Sequence, residues 1–223
     1  MKASGFRTLP KCFLGLALIL FPAACALAGN QYEKIRNEKV LVVEQTLAPG
    51  ETLSVSNGRA AVLVYLNAGL IESIPYSAGI PWTNTVQRGK VVFQPSVDDS
   101  SAKTIKNAGS TTLHMVTTTY LGNGGSETWS TNGLAPNYQL LFENQYGRVY
   151  DIRMAAGKSE PLHSHHDRVV VCLSGAELMH EMPDGRKETA TLKTGEIAWR
   201  LAATHVGHNL GKTDLWVIAI EPK

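Results

Sequence analysis

The feature that most constrains this chain is an internal repeat. Four segments of its first half recur, in the same order, in its second half. The paired segments are 47–50 with 154–157, 60–69 with 167–175, 89–93 with 195–199, and 107–113 with 209–215. The identities within each pair are sparse, but the common order indicates two copies of one folding unit in tandem.

The repeated units are predicted to be built from β-strands. From Val40 onward, short apolar runs alternate with Gly, Pro, Asn and Asp, and no segment keeps a long 3.6-residue apolar period. Residues 122–137, rich in Gly, Ser and Asn, are predicted to be a linker between a first unit at 29–121 and a second unit at 138–223. The predicted strands are 40–47, 60–66, 90–93, 111–120, 139–142, 148–154, 169–173, 176–181, 188–192, 196–201 and 214–220.

Residues 1–28 are predicted to be a secretory signal peptide rather than part of the fold. A basic start is followed by an apolar run over 12–27, and Ala26-Leu27-Ala28 offers a small-residue cleavage site. The run is short for a membrane span, so we expect none after cleavage and a periplasmic or secreted protein. Two alternatives are a lipoprotein signal ending before Cys25 and an uncleaved anchor.

Removal of the leader changes the charge and the cysteine count. The leader carries three of the 21 Lys and Arg residues and no acidic residue, which leaves 18 basic against 19 acidic residues and a net charge of −1. No basic patch indicates nucleic-acid binding. Of three cysteines only Cys172 remains, within an apolar run, so we expect it to be a small buried side chain without an intramolecular disulfide.

The second unit contains a histidine pair framed by glycines. Gly157 precedes His163-Ser164-His165 by five intervening residues, and Gly175 follows. Side chains at i and i+2 on a strand point to one face, and neutral imidazoles are common metal ligands. The pattern resembles the first signature motif of the cupins. That resemblance implies an all-β fold of two tandem cupin-type jelly-roll barrels.

A second cupin-like motif lies downstream and completes a predicted metal site. Gly195 leads to His205, with Asn209 four positions on, although the usual Pro-x-Gly turn is absent. The resemblance implies His163, His165 and His205 as ligands of a divalent ion. Three imidazoles do not decide the identity of that ion among Zn, Fe, Mn, Cu and Ni.

The first motif lacks the glutamate that cupins usually place three to four residues beyond His-x-His. Val169 and Val170 occupy those positions. His166 or Asp167 could substitute, but Asp167 would need a β-bulge to reach the same centre.

The remaining histidines are interpreted as residues outside the metal site. His166 and His208 are predicted at the surface or rim, His180 is predicted to face solvent beside the turn at 183–185, and His114 is predicted to be a hydrogen-bonded strand residue.

Two aromatic residues and the first unit complete the prediction. Tyr150 and Trp199 are candidates to line the cavity of the second barrel, with burial in its core as the alternative. In the first unit, residues 56–59 and Lys103 stand where the histidines would be, so we predict a scaffold without metal. An anion site formed by Arg59 and Lys103 is the alternative to solvated charge.

Two classes of function follow. The first is a metal-dependent enzyme of oxygenase or isomerase type acting on a small organic molecule, for which no catalytic residue is identifiable. The second is a non-catalytic barrel that binds or stores a small ligand without metal. The missing glutamate favours the second, and the three retained histidines favour the first. Monomer and homodimer are both compatible with two copies in one chain.

Overall fold

The computed structural model describes residues 29–55, 58–75, 79–96, 103–126, 129 and 134–223, and the predicted leader lies outside them. Over this part of the chain the protein is all-β, as predicted, and holds no helix long and apolar enough to cross a membrane. The first nine strands are β1 (Asn30–Arg36), β2 (Val40–Leu47), β3 (Thr52–Val55), β4 (Ala61–Tyr65), β5 (Gly69–Pro75), β6 (Trp82–Val86), β7 (Val91–Gln94), β8 (Lys103–Asn107) and β9 (Leu113–Tyr120). The second nine are β10 (Tyr138–Asn144), β11 (Gly147–Met154), β12 (Ser159–His165), β13 (Arg168–Ser174), β14 (Ala176–Glu181), β15 (Lys187–Leu192), β16 (Ile197–Arg200), β17 (Ala203–Asn209) and β18 (Leu215–Pro222).

The two halves have the same topology, strand for strand. Each half has a five-stranded and a four-stranded antiparallel sheet. In the first half the orders are β1-β2-β9-β4-β7 and β3-β8-β5-β6, and in the second they are β10-β11-β18-β13-β16 and β12-β17-β14-β15. Adding nine to each strand number of the first half therefore reproduces the second half, and the predicted pair of tandem jelly-roll barrels is confirmed.

Matching polar residues hold the same turns in both barrels. The Nδ2 atom of Asn107 donates to the Leu47 carbonyl at 2.7 Å, and that of Asn209 donates to the Met154 carbonyl at 3.1 Å. The residue at position 50 in the first barrel and at 157 in the second is a glycine with positive φ, 83° and 69°, as a tight turn before a strand requires. Asn209 of the second motif and its counterpart Asn107 therefore both stabilise the equivalent turn of their barrel.

The five-stranded sheets of the two barrels share one apolar core. Alternate residues of β13 point in opposite directions: Val169 and Val171 contact residues of the first barrel, whereas Val170 and Cys172 face the interior of the second. Both faces of β13 are buried, which explains its unbroken apolar run. The shared core consists of Val40, Val42, Ala60, Val62, Val64, Val116, Tyr120, Val149, Val169, Val171, Leu173, Ile218 and Ile220.

The interiors of the two barrels differ in chemistry. The described interior of the first barrel is packed with apolar side chains such as Leu63, Tyr65 and Met115. The second has an apolar floor that includes Cys172, which is buried and unpaired as predicted, and its other end holds the predicted histidines.

Candidate metal centre

Strands β12 and β17 bring the three predicted ligands together. His163 and His165 occupy inward positions of β12, and His163 lies directly across from His205 on β17. All three side chains are buried, and one ring nitrogen from each lies within 4.8 Å of the others. The first barrel, over its described residues, has no comparable group of three potential metal ligands.

Hydrogen bonding orients the first imidazole for coordination. The carbonyl of Pro161 lies 2.8 Å from Nδ1 of His163 and can only accept, so Nδ1 carries the proton and Nε2 carries the lone pair. The Nε2 atoms of His163 and His165 are 2.9 Å apart. A fixed tautomer with its lone pair directed to a shared centre is the usual arrangement of a metal-binding histidine.

Burial keeps two of the imidazoles neutral. It lowers the pKa of His205 to about 3, with His180 contributing repulsion, and it lowers the pKa of His165 strongly, with Arg168 contributing repulsion. Neutral imidazoles are the form that binds a metal, so the site is prepared for a cation without having to lose protons from these rings.

The depressed pKa of His205 gives a pH prediction for the metal-free protein. Between the folded pKa of about 3 and the unfolded value of 6.5, the unfolded chain binds more protons, so the free energy of unfolding should rise with pH across this window. Urea unfolding at several pH values should show a shallower rise for His205→Gln than for the wild type. Glu221, whose raised pKa contributes with the opposite sign, is present in both proteins and drops out of the difference. Equal slopes would contradict the prediction.

A tyrosine that was not singled out from the sequence also reaches the centre. The hydroxyl of Tyr138 lies 3.2 Å from Nε2 of His163 and 3.1 Å from Nε2 of His165. Burial raises its pKa well above 10, so the phenol is neutral in the metal-free protein. The pairing of β10 with β11, which aligns Tyr138 with Ile152, sets this position. No local sequence signal reveals it.

A buried carboxylate stands on the amino-terminal side of the histidine pair. Oε1 of Glu160 lies 3.4 Å from Nε2 of His163, and Oε2 accepts a hydrogen bond from Asn137 at 2.8 Å. A Cβ on Gly207 would lie 2.3 Å from Oε1 of Glu160, so only glycine leaves room for this carboxylate. Glu160 and His163 are three positions apart, and regular alternation would place them on opposite faces. A register shift between them puts both inside the barrel.

A second carboxylate lies behind His165. Glu221 is buried, with Oε1 3.9 Å from Nδ1 of His165 and 3.3 Å from the backbone nitrogen of His166. Burial raises its pKa to about 7, against the opposing effect of Arg168. Strand alternation identifies this position, because Glu221 continues the inward row of β18 formed by Leu215, Val217 and Ala219.

His165 and His205 open onto a cavity of about 280 Å³. Its floor is apolar, and two arginines line its walls, the buried Arg168 and the half-exposed Arg200. Nη1 of Arg168 donates to two backbone carbonyls, at 3.3 Å and 3.2 Å, which leaves other N–H donors of the guanidinium for a ligand. The cavity therefore combines imidazole ligands with cationic donors.

The prediction for His180 was wrong. Its ring stacks on that of His205, with centroids 4.2 Å apart, and it lines the cavity instead of facing solvent. The reason is strand pairing: β14 pairs with β17, which places His180 opposite Gly207. The turn at 183–185 follows the end of β14 at Glu181, so it does not carry His180 into solvent.

For both aromatic candidates the structure agrees with the alternative, burial in an apolar core. Trp199 pairs with Val169 and packs against the core shared by the barrels, while the next residue, Arg200, takes the cavity side. Tyr150 lies inside the second barrel but in its packed core, edge-on to Tyr138 at 6.0 Å.

The other predicted residues lie away from the centre. His166 is exposed and stacks on Trp129, and His208 is on the outward side of β17, 2.7 Å from the Ser159 hydroxyl. His114 contacts Glu44 at 2.7 Å, as a hydrogen-bonded strand residue should.

The alternative of an anion site in the first barrel has no support in the described residues. Arg59 is exposed and donates to the Leu121 carbonyl, and Lys103 lies on β8 opposite Val55. Ser56 and Asn57 lie outside the part of the chain that is described.

Comparison with known proteins agrees with the fold. No family model matches the sequence, and no curated protein matches it. Among solved structures, a cupin 2 conserved barrel domain protein from Leptotrichia buccalis has a TM-score of 0.55 at 14% identity, covering 87% of this chain and 89% of that one.

A variant of the oxalate decarboxylase from Bacillus subtilis has a TM-score of 0.57 at 15% identity, covering 87% and 73%. Another structure of that enzyme, described by its Mn(II) centers, has a TM-score of 0.52 at 16% identity, covering 82% and 69%. At these identities the likeness concerns the fold.

Proposed function

Because the chain has the fold of a two-barrel cupin, we propose that its second barrel binds one divalent metal ion through His163, His165 and His205 and holds a small organic anion beside it. The observation that carries this proposal is the convergence of three buried imidazoles, two of which, His165 and His205, lie on the wall of a cavity. The Mn(II) centers of the Bacillus subtilis enzyme support a divalent ion in such a barrel, and the ligand types here also suit Fe, Zn, Cu and Ni.

The cavity favours a small carboxylate as the bound molecule. Its volume of about 280 Å³ is near the lower limit of ligand sites, so it accommodates a small molecule rather than a drug-sized one. Arg168 is buried at its wall, and a guanidinium pairs with a carboxylate through parallel N–H donors. Oxalate, which the name of the structural neighbour specifies, is a suitable first probe.

The chain also provides groups for proton transfer. When bound, the metal would act as a Lewis acid on a ligand oxygen. Glu160 lines the same cavity, and Asn137 fixes one of its oxygens, which leaves the other to accept a proton from a bound molecule. The apolar floor limits water around the reacting group. This arrangement supports an enzyme of isomerase or oxygenase type, with Glu160 as its proton acceptor.

Elemental analysis of the protein starting at Gly29, purified without an affinity tag and reconstituted with Mn(II), Fe(II) or Zn(II), tests the metal site. We expect one metal ion per chain in the wild type and none in the His163→Ala/His165→Ala double variant, because two of three ligands are lost. The matched control is His208→Ala, since His208 shares β17 with His205 but points outward, and it should retain the metal.

A second candidate function is a ligand-binding barrel without metal. It is favoured by the partners that His163 has within the protein, the Pro161 carbonyl and the Tyr138 hydroxyl. The same elemental analysis separates the two, because wild-type protein that stays metal-free after reconstitution would leave only this function. Export through residues 1–28 stays a prediction.

A further inference from the structure

The hydroxyl of Tyr138 forms a triangle with two of the proposed ligand atoms. Its oxygen lies 3.2 Å from Nε2 of His163 and 3.1 Å from Nε2 of His165, and the two nitrogens are 2.9 Å apart. Each of the three contacts has the length of a hydrogen bond. Three hydrogen bonds would require a proton on each side of the triangle.

Only two protons are available for these three contacts. His163 uses its Nδ1 proton on the Pro161 carbonyl, so its Nε2 has none to donate. Nε2 of neutral His165 can carry one proton, and the Tyr138 hydroxyl carries one. One side of the triangle is therefore a close polar contact without a hydrogen bond of its own. A cation on the axis of the triangle would contact all three atoms, with both Nε2 nitrogens in their unprotonated tautomers.

The spacing of the triangle also fits coordination. Atoms that bind one metal at about 2.0–2.2 Å, at angles between square and tetrahedral, lie about 3 Å from one another. All three sides of this triangle have that length. The oxygen of Tyr138 is thus placed as a ligand atom beside the two nitrogens.

The backbone holds Tyr138 in this place. Its nitrogen donates to the Ala135 carbonyl at 3.0 Å, and β10 aligns it with Ile152 on β11. Its ring contacts the edge of Tyr150 inside the barrel. The position does not depend on an exposed loop.

We propose that the phenolic oxygen of Tyr138 is a fourth ligand of the metal, added to His163, His165 and His205. This inference rests on the proposed metal site and extends its ligand set. On binding, an oxygen–metal bond forms, the O–H bond breaks, and the proton passes to solvent. The phenolate supplies the single negative charge that a carboxylate ligand after His-x-His would have supplied, so the charge of the loaded site falls from +2 to +1.

Copper(II) is the probe for this proposal, because N and O sites bind it more tightly than other divalent first-row ions. Metal-free wild-type protein, Tyr138→Phe and Tyr150→Phe would each be titrated with Cu(II). Bound copper would be counted by elemental analysis, and the visible spectrum and the nitrogen hyperfine pattern in electron paramagnetic resonance would be recorded. Tyr150→Phe is the matched control, a neighbouring buried tyrosine with no contact to the histidine nitrogens.

We expect wild type and Tyr150→Phe to show a phenolate-to-copper charge-transfer band with one equivalent of Cu(II), and Tyr138→Phe to lack it while keeping the nitrogen pattern. Tyr138→Phe should also bind the ion more weakly, by about tenfold or more, the effect of losing an interaction worth about 1.4 kcal/mol. Copper bound without the band in the wild type, or a band that survives in Tyr138→Phe, would overturn the fourth ligand and leave the three-histidine site standing. Failure of the wild type to bind Cu(II) would overturn both.

Discussion

The substitution Val171→Asp should prevent both barrels from folding. Val171 is fully buried between the two five-stranded sheets, next to Ile218 on β18 and Ile197 on β16. A carboxylate there has no polar partner, and the cost of burying it compares with the whole stability of a domain, about 5–15 kcal/mol. Because the first barrel relies on the same core to cover Val62 and Val64, it should lose its structure as well.

Far-UV circular dichroism and thermal melting would measure this effect. Val171→Ala is the matched control, since it removes volume without adding charge and should cost only about 1–3 kcal/mol in the free energy of unfolding. A cooperative melt remaining in the aspartate variant, from a first barrel that folds alone, would contradict the role given to the shared core.

The second large effect concerns Arg168. Its replacement by methionine, which keeps the length of the side chain but removes the charge, should leave the metal in place and weaken oxalate binding by about 10- to 150-fold. This range follows from the loss of a charge-assisted hydrogen bond, about 1.5–3 kcal/mol. Burial lowers the pKa of Arg168, which means that its charge is poorly solvated and gains much from an anionic partner.

Isothermal titration of the metal-loaded protein with oxalate would give the affinity, and elemental analysis of the same sample would give the metal content. Arg36→Met is the control, because Arg36 is exposed and pairs with Glu33 on β1 of the first barrel, and neither residue lines the cavity. Unchanged oxalate affinity in Arg168→Met would contradict the proposal that this cavity binds small carboxylates.

The repeat and the strand pattern predicted two all-β units in tandem, and the resemblance to the cupins implied that each unit is a jelly-roll barrel. Paired glycines such as Gly50 and Gly157 have a backbone conformation that side chains disfavour, and Asn107 and Asn209 hold equivalent turns. Such positions tolerate few residue types, so they leave a trace in sequence. The spacing of His163 and His165 on one strand predicts a common face, and the resemblance to the cupins adds His205 to the pair.

The rest of the site depends on pairing between strands that are distant in the chain. Glu160 enters the barrel only because the register shifts before His163, and His180 reaches His205 only because β14 lies beside β17. The side of the sheet that Trp199 faces could not be read from β16, which is short and half-buried at most positions. An error of one residue in the register of β16 places Trp199 on the cavity side instead of Arg200. The predicted cavity wall is then apolar, whereas the actual wall is cationic.

The core between the sheets also bears on how the protein responds to dilution. Two separate barrels that covered each other through these faces would form a dimer whose population falls as concentration falls. Here both barrels belong to one chain, so each always meets its partner at the effective concentration set by the connection between β9 and β10. The second barrel should therefore keep the cover that the first barrel provides at any dilution.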